Sequence, residues 1–356
     1  DDLSSNIKVK ITRNADTINV APITSPQVKI IGSLLVTPSP SAGMKWEVNK
    51  TYPIQWTRQG SISNVTLSYS QDGQNYTFID YASGASGGSG YNWLIPNTPG
   101  ILSTNVTVKA ADTSDPTTVY NISPVFGIIP RFAITSPILN QQVNVSRDTS
   151  IIWNSFGWNP TVNIYYSTNN FTGGNGTVLI QANATNNGNY TWSVPDVLSN
   201  NVNVKVSYPA DESAYNDSPV FRTVPGYEVA SPYSSTYDKW QVGRIHQIKW
   251  NCTSANAPSV KIYYSTNSGA GYPYLIDSNA SNAGAVNGTR VYNWSVNDTI
   301  TSGFKVKIQD ADSGRSDITS ESPYNSKIMG YFNVTYPDGN ETFTVSDNFN
   351  LQWDRS

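Results

Sequence analysis

Few residues in this chain are of a type that can do chemistry. His246 is the only histidine, so a Ser-His-Asp arrangement could run through no other residue. It lies in the alternating stretch that leads to Trp250, where a solvated strand position is expected. Cys252 is the only cysteine, which excludes an intrachain disulfide. It falls inside an Asn-x-Thr triplet at a loop edge, a poor place for a nucleophile. Together Cys252 and His246 are too few to hold a transition metal. No reaction can be argued from such a set, and the chain reads as non-enzymatic.

The acidic residues are better organised. Asp112 and Asp115 share one loop, Asp211, Glu212 and Asp217 a second, and Asp310, Asp312 and Asp317 a third. Two chemistries fit. Carboxylates and backbone carbonyls suit Ca²⁺, which takes six to eight oxygens. Equally, an Asp after a strand closes an Asx turn on its own backbone. The single Asp that follows Ala in every loop argues for the turn, and the additional acids argue for an ion.

Asparagine is the third chemical handle. Eighteen Asn-x-Ser/Thr triplets occur among 39 asparagines, about twice what chance would give for this composition. Asn64, Asn75, Asn105, Asn121, Asn183, Asn189, Asn279 and Asn287 are candidate carriers of N-linked glycans. Triplets on buried strands should be silent, while Asn293 beside Trp294 still alternates outward.

These groups are positioned by a repeat. A tryptophan after alternating apolar residues recurs as Ile54-Gln55-Trp56, Ile151-Ile152-Trp153, Ile248-Lys249-Trp250 and Leu351-Gln352-Trp353. A second follows as Tyr91-Asn92-Trp93, Tyr190-Thr191-Trp192 and Tyr292-Asn293-Trp294. Between them lies a Tyr-Ser strand ending at Ser70, Ser167 and Ser265. Strands of period two come next, Val106–Lys109, Val202–Val206 and Phe304–Ile308, each with one apolar face. They run into Ala111-Asp112, Ala210-Asp211 and Ala311-Asp312, and then into Ser123-Pro124, Ser218-Pro219 and Ser322-Pro323. The segment Ile7–Ile11, with Ala15-Asp16 and Ser25-Pro26, matches the back of a repeat, and Thr335–Trp353 matches the front. Three whole repeats, 34–130, 131–225 and 226–334, are therefore expected between partial ones at 1–33 and 335–356, as in an excerpt of a longer array.

Each repeat of about 100 residues offers roughly seven short strands and no sustained helical period, so an all-β fold of tandem immunoglobulin-like sandwiches placed end to end is expected. The paired tryptophans are expected to face each other across the sheets. Trp46, Trp158 and Trp240 fall outside the pair and are candidates for exposed or inter-repeat contact. The joins Ile129-Pro130-Arg131 and Val224-Pro225-Gly226 are short and proline-stiffened, which implies restricted hinging. In the third repeat Asn297 stands where proline is otherwise found, and the strand carrying Lys327-Ile328-Met329 is expected to bend or bulge. With 13% charged residues and a net charge of −3, no basic patch suggests nucleic acid. No apolar run is long enough to span a membrane as a helix.

The ordered set of motifs resembles the immunoglobulin-like repeats of large prokaryotic cell-surface proteins, among them archaeal surface-layer proteins. The resemblance implies an extracellular, structural, glycosylated rod that associates with neighbouring copies in a layer or filament. Abundant glycosylation triplets without disulfides fit an archaeal source. Two other roles are open: an adhesin or carbohydrate-binding array, and spacer repeats of a larger secreted enzyme.

Overall fold

The computed structural model describes residues 3–15, 21–84, 90–172, 176–234, 238–346 and 348–355. Asp16 of the first Ala-Asp pair lies outside them. Within the described residues the chain is built of β-strands, with one 3₁₀ turn at Ser313–Arg315. It forms tandem immunoglobulin-like sandwiches.

The first whole sandwich sets the pattern. Its strands are β1 (Ser33–Val36), β2 (Lys45–Glu47), β3 (Thr51–Gln59), β4 (Asn64–Ser70), β5 (Thr77–Ser83), β6 (Gly90–Leu94), β7 (Ser103–Asp112), β8 (Tyr120–Ile122) and β9 (Phe126–Ile129). One sheet has the order β6-β3-β1. The other runs β2-β9-β7-β4-β5, with β8 also on β7. The strands from Arg131–Ser136 to Phe221–Val224, and from Tyr227–Ser231 to Ser326–Met329, repeat both orders. One pair departs from an all-antiparallel sandwich: β2 and β9 are parallel, Gly127 opposite Lys45, as are Gln142–Asn144 with Phe221–Val224 and Lys239–Gln241 with Ser326–Met329. The third repeat therefore keeps the strand at Lys327-Ile328-Met329; a register shift does lie opposite it, between Thr301 and Phe304, but the first two repeats carry the same shift between Ser103 and Val106 and between Ser199 and Val202, so it does not come from the departure at Asn297.

Alternation decides what is buried. In β3 Ile54 and Trp56 are buried while Gln55 between them is not, and in β4 Val65 and Leu67 are buried. The tryptophans of a repeat do not face each other across the sheets. Trp56 on β3 and Trp93 on β6 belong to the same three-stranded sheet. Trp93 crosses the core to Tyr69 of β4, with ring centroids 5.0 Å apart; Trp192 meets Tyr166 at 5.4 Å and Trp294 meets Tyr264 at 5.1 Å. The inter-sheet contact is thus tryptophan on tyrosine. Trp153 and Trp250 donate their indole N–H to Asn186 and Asn282, both at 2.8 Å. Trp46 and Trp240, expected to be exposed, are core residues at 3% and 4% exposure, because the strands that carry them pair with the last strand of their own sandwich. Only Trp158 of that trio is exposed, at 68%.

The Ser-Pro motif is a clamp. Ser123 Oγ accepts the N–H of Val108 at 2.9 Å and donates to the carbonyl of Pro124, while its own N–H bonds the carbonyl of Val108. Ser218 does the same with Val204, and the Ser322 hydroxyl and N–H grip Val306 in the same way. Ser25 grips Val9 likewise in the amino-terminal fragment. The clamp satisfies a backbone N–H where β8 leaves the ladder and the chain steps to β9. At the other end Phe332–Tyr336 pairs with Gln352–Arg355, placing Val334 opposite Trp353 as Val36 lies opposite Trp56.

On the outer face of the larger sheet the lysine of each alternating strand lies between two rings. Lys109 sits over Tyr76 and Tyr120, Lys205 over Phe171 and Tyr215, and Lys307 over Tyr263 and Tyr272. Each lysine stem is thereby packed while its ammonium meets ring faces.

Candidate functional site: the junctions between repeats

Three of the acids singled out for chemistry, Asp115, Asp211 and Asp317, reach across the joins between sandwiches. At each join the last strand of one sandwich runs within one or two residues into the first of the next. That brings the loop after β6 of one sandwich against the loop after the β3 equivalent of its successor. Asn97 Oδ1 accepts the N–H of Gly157 at 2.9 Å. Asp196, its counterpart one repeat on, accepts the Ser254 hydroxyl at 2.5 Å and the Ala255 N–H at 2.8 Å. Its backbone carbonyl takes a bond from Asn256. Gly157 has φ +113°, and a Cβ there would come within 2.9 Å of Leu102 Cδ2 and 3.2 Å of Pro130 Cα, so the close approach needs glycine. Phe156 packs on the core of the preceding sandwich under the guanidinium of Arg131, 4.0 Å from its ring centroid.

The acidic loops complete the lock. Asp115 pairs with Lys29 of the amino-terminal fragment. Asp211 pairs with Lys45 of the first sandwich at 2.7 Å. Asp317 takes a two-pronged contact from Arg222 of the second sandwich, at 2.7 and 3.2 Å, and a bond from Gln142. In every case the acid belongs to the following sandwich and its partner to the preceding one. Lys29 holds the Asp115 carboxyl below the usual range, and Arg222 does so for Asp317. For Asp211, burial pushes the carboxyl up, but bonds from Lys45 and Ser213 outweigh it and the net shift is down.

The remaining acids are occupied within their own repeat. Asp112 accepts the N–H and hydroxyl of Ser114, as Asp211 does those of Ser213. Asp312 caps the 3₁₀ turn through Gly314, and Arg315 bridges Asp312 and the buried Asp310. Asp217 faces Lys205 at 3.8 Å, and its burial pushes its carboxyl up against that attraction. Among the described residues no three His, Cys, Asp or Glu side chains converge as metal ligands would. What the loops hold together is turns and ion pairs, and the residues named for Ca²⁺ sort into those two uses.

His246 is not the freely solvated strand residue expected. It stacks on Trp240 at 5.0 Å and 9°, and its Nε2 accepts the N–H of Gln241 at 3.1 Å. Tyr52 occupies the same place in the first sandwich, stacked on Trp46 at 5.0 Å, its hydroxyl accepting the N–H of Glu47. Burial pushes the imidazole pKa down, against an opposing pull from Asp238. Cys252 is buried in the third core. Arg290, also buried, gives its guanidinium to the carbonyls of Ser254, Asn282, Gly284, Ala285 and Gly288 and so fixes the loop before its strand.

Of the glycosylation candidates, Asn64, Asn75, Asn105, Asn183, Asn189, Asn279 and Asn287 are exposed. Asn121 is half-buried and its Oδ1 accepts the N–H of Val36, tying β8 to β1. The Asn75 amide nitrogen donates to Asp72, whose carboxyl is held well below the usual range by the backbone N–H groups of Asn75 and Gln74.

No family model matches the sequence, and comparison with curated proteins gives no match. Solved structures match at low identity. The fibronectin(III)-like modules of Clostridium thermocellum CbhA are 16% identical over 53% of this chain and 92% of theirs, with a TM-score of 0.20. The N-terminal eight Ig domains of Down Syndrome Cell Adhesion Molecule are 10% identical over 88% of this chain and 46% of theirs, at 0.25. A three-Ig fragment of titin is 9% identical over 84% and 98%, at 0.24.

Proposed function

We propose that this chain is a stiff, glycosylated rod of an archaeal-type cell-surface protein whose copies associate side by side in a layer or filament, with no catalytic role. The observation that carries the reading is the recurrence of one lock at successive junctions: a short join and an acid of the following sandwich paired to a base of the preceding one. A spacer must hold its modules at fixed angles, and restricted junctions do so. Seven exposed candidate asparagines allow sugar to cover the outer faces. Electron microscopy of the native material, with and without a chelator, tests this. Ordered arrays of rods support it, and isolated rods in both conditions refute it. Order lost only on chelation would assign Ca²⁺ to the contacts between rods.

One observation favours a second reading, a carbohydrate-binding array. Trp158 presents its indole at the first junction from a backbone with φ +56°, beside Asn97 and Asn186. Quenching of its fluorescence by oligosaccharides, lost in Trp158→Ala, would support that reading.

A further inference from the structure

Trp158 is held between two pins. Before it, the Gly157 N–H is accepted by Asn97 Oδ1 of the preceding sandwich. After it, the buried Asn159 accepts the Ser155 hydroxyl and donates to the carbonyl of Thr161, both at 3.1 Å. Asn186 donates to the Asn159 carbonyl and to Ser155 Oγ, both at 2.8 Å. One pin thus comes from the first sandwich and the other from the second. Between them Gly157 and Trp158 are both left-handed, with φ +113° and +56°. A bulky residue is seldom found in that region, and such strain persists only where the surroundings impose it. Here it turns an indole outward at the junction.

The indole stands at a groove of about 510 Å³ whose other walls are Asn97, Ser155, Asn159, Pro160 and Asn186. None of these residues is charged. The carboxamide oxygens are already engaged: Asn97 Oδ1 by Gly157, Asn159 Oδ1 by Ser155 and Asn186 Oδ1 by Trp153. Asn97 Nδ2 has no partner among the described residues. The groove therefore offers an aromatic plane and N–H donors, without a charge. That set fits an uncharged pyranose ring, whose C–H face can lie on the negative face of the indole while its hydroxyl oxygens accept N–H. A charged ligand would find no counter-charge. Only Ser155 among the walls belongs to a strand, and it is paired with Phe132, so an extended peptide has no free edge to join. The second junction is built differently. Its loop, Ser254-Ala255-Asn256, has no aromatic residue, and Asp196 turns both carboxylate oxygens and its carbonyl onto that loop. The first junction has one neutral bond at that place and a groove beside it.

We propose that the first junction binds a neutral sugar ring between Trp158 of the second sandwich and Asn97 of the first, and that the bound sugar stiffens the joint. The proposal rests on the carbohydrate-binding reading and adds the ligand's class and its effect on the rod. Undocking withdraws Asn97 and frees the Gly157 N–H, so the docked junction alone presents the whole site. Linkage then makes the sugar favour docking: free sugar at a hundred times its Kd raises the ratio of docked to undocked junctions about a hundredfold. The sugar supplies to the first junction what Asp196 supplies to the second.

Calorimetric titration of the full chain with cellotriose, chitotriose and the neutral N-glycans released from the native protein tests this. At least one should bind. Binding of either trisaccharide points to an external polysaccharide, and binding of the released glycans alone to a neighbouring copy. Trp158→Ala should remove the binding. Asn97→Asp keeps an acceptor for the Gly157 N–H but loses both N–H donors, and should weaken binding about tenfold. A short Gly/Ser insert between Pro130 and Arg131 parts the two sandwiches and leaves each folded; it should weaken binding about tenfold or more. The insert reads the coupling from the sugar's side, which linkage makes equal to the stiffening. No binding of any of the three sugars, or binding unchanged in Trp158→Ala, would defeat the carbohydrate-binding reading and the proposal together. Binding that needs Trp158 but survives the insert or Asn97→Asp unchanged would leave that reading standing and overturn the shared site.

Discussion

Replacing Asp196 by Ala should loosen the second junction while leaving both flanking sandwiches folded. Asp196 reaches no core, and its carboxylate is spent on the following sandwich, where it accepts the Ser254 hydroxyl and the Ala255 N–H. A bond to a charged group contributes about 1.5–3 kcal/mol. The two share one half-buried carboxylate and do not simply add, so about 2 kcal/mol of coupling is a fair expectation. That corresponds to roughly a 30-fold shift between docked and undocked junctions. Spin labels on the second and third sandwiches should report it as a broadened distance distribution, and calorimetry should show the third sandwich melting earlier. Asp196→Asn keeps an acceptor, as Asn97 does naturally at the preceding junction, and should lose roughly half as much. An unchanged distance distribution together with an unchanged melting of the third sandwich in Asp196→Ala would refute the view that this carboxylate holds the junction.

Three further outcomes are expected. Ser218→Ala strips the clamp from the buried Val204 N–H and should cost about 1–3 kcal/mol of stability by denaturant titration, an effect absent if water replaces the hydroxyl at no cost. His246 has a folded pKa below its unfolded value, so the stability it contributes is complete above the unfolded pKa of about 6.5 and is lost as pH falls through the folded value; His246→Tyr, which copies Tyr52, should flatten the stability profile between neutral pH and about pH 5, and a slope equal to that of the wild type would count against the stacked, neutral imidazole. Asp115 and Asp317 have lowered pKa values set by their cationic partners, so their contribution is present above the unfolded value and fades as pH falls through the folded one; the junctions should open in small-angle scattering below about pH 4 and in high salt, and a rod unchanged under both conditions would contradict the ion-pair lock.

The repeat was legible because its signals are local. A period of two, a tryptophan at a fixed place and a Ser-Pro step are all decided within a few residues of sequence, and Ser218 shows that the motif marks a hydrogen bond between a strand and its own continuation. Placement across the sandwich was less legible. The sequence leaves Trp46 outside the core because its three-residue strand carries too little alternation to reveal a face, and what buries it is pairing with β9, some 80 residues on. Sequence spacing places the tryptophan pair on opposite sheets because it does not say which strands are neighbours; β6 returns to β3. Site chemistry was half legible. The acids were visible, and two of their bases could have been, since Lys29 and Arg222 each stand four residues after a Ser-Pro serine; Lys45 breaks the pattern, because Gly127 fills that place in the first sandwich and the base comes from the neighbouring strand opposite it. Asn97 and Asp196 could have been found, since each follows a proline after the second tryptophan.

The parallel pairing of the second and last strands has a consequence for force. A chain pulled at its two ends loads the contact between Lys45–Glu47 and Phe126–Ile129 along the strand direction, so its hydrogen bonds are sheared together, whereas a hairpin opens one bond at a time. Each whole sandwich carries the same three-residue patch. Under tension the rod would therefore hold its length until one patch fails. It would then lengthen in steps on the order of 300 Å, the extended reach of one module.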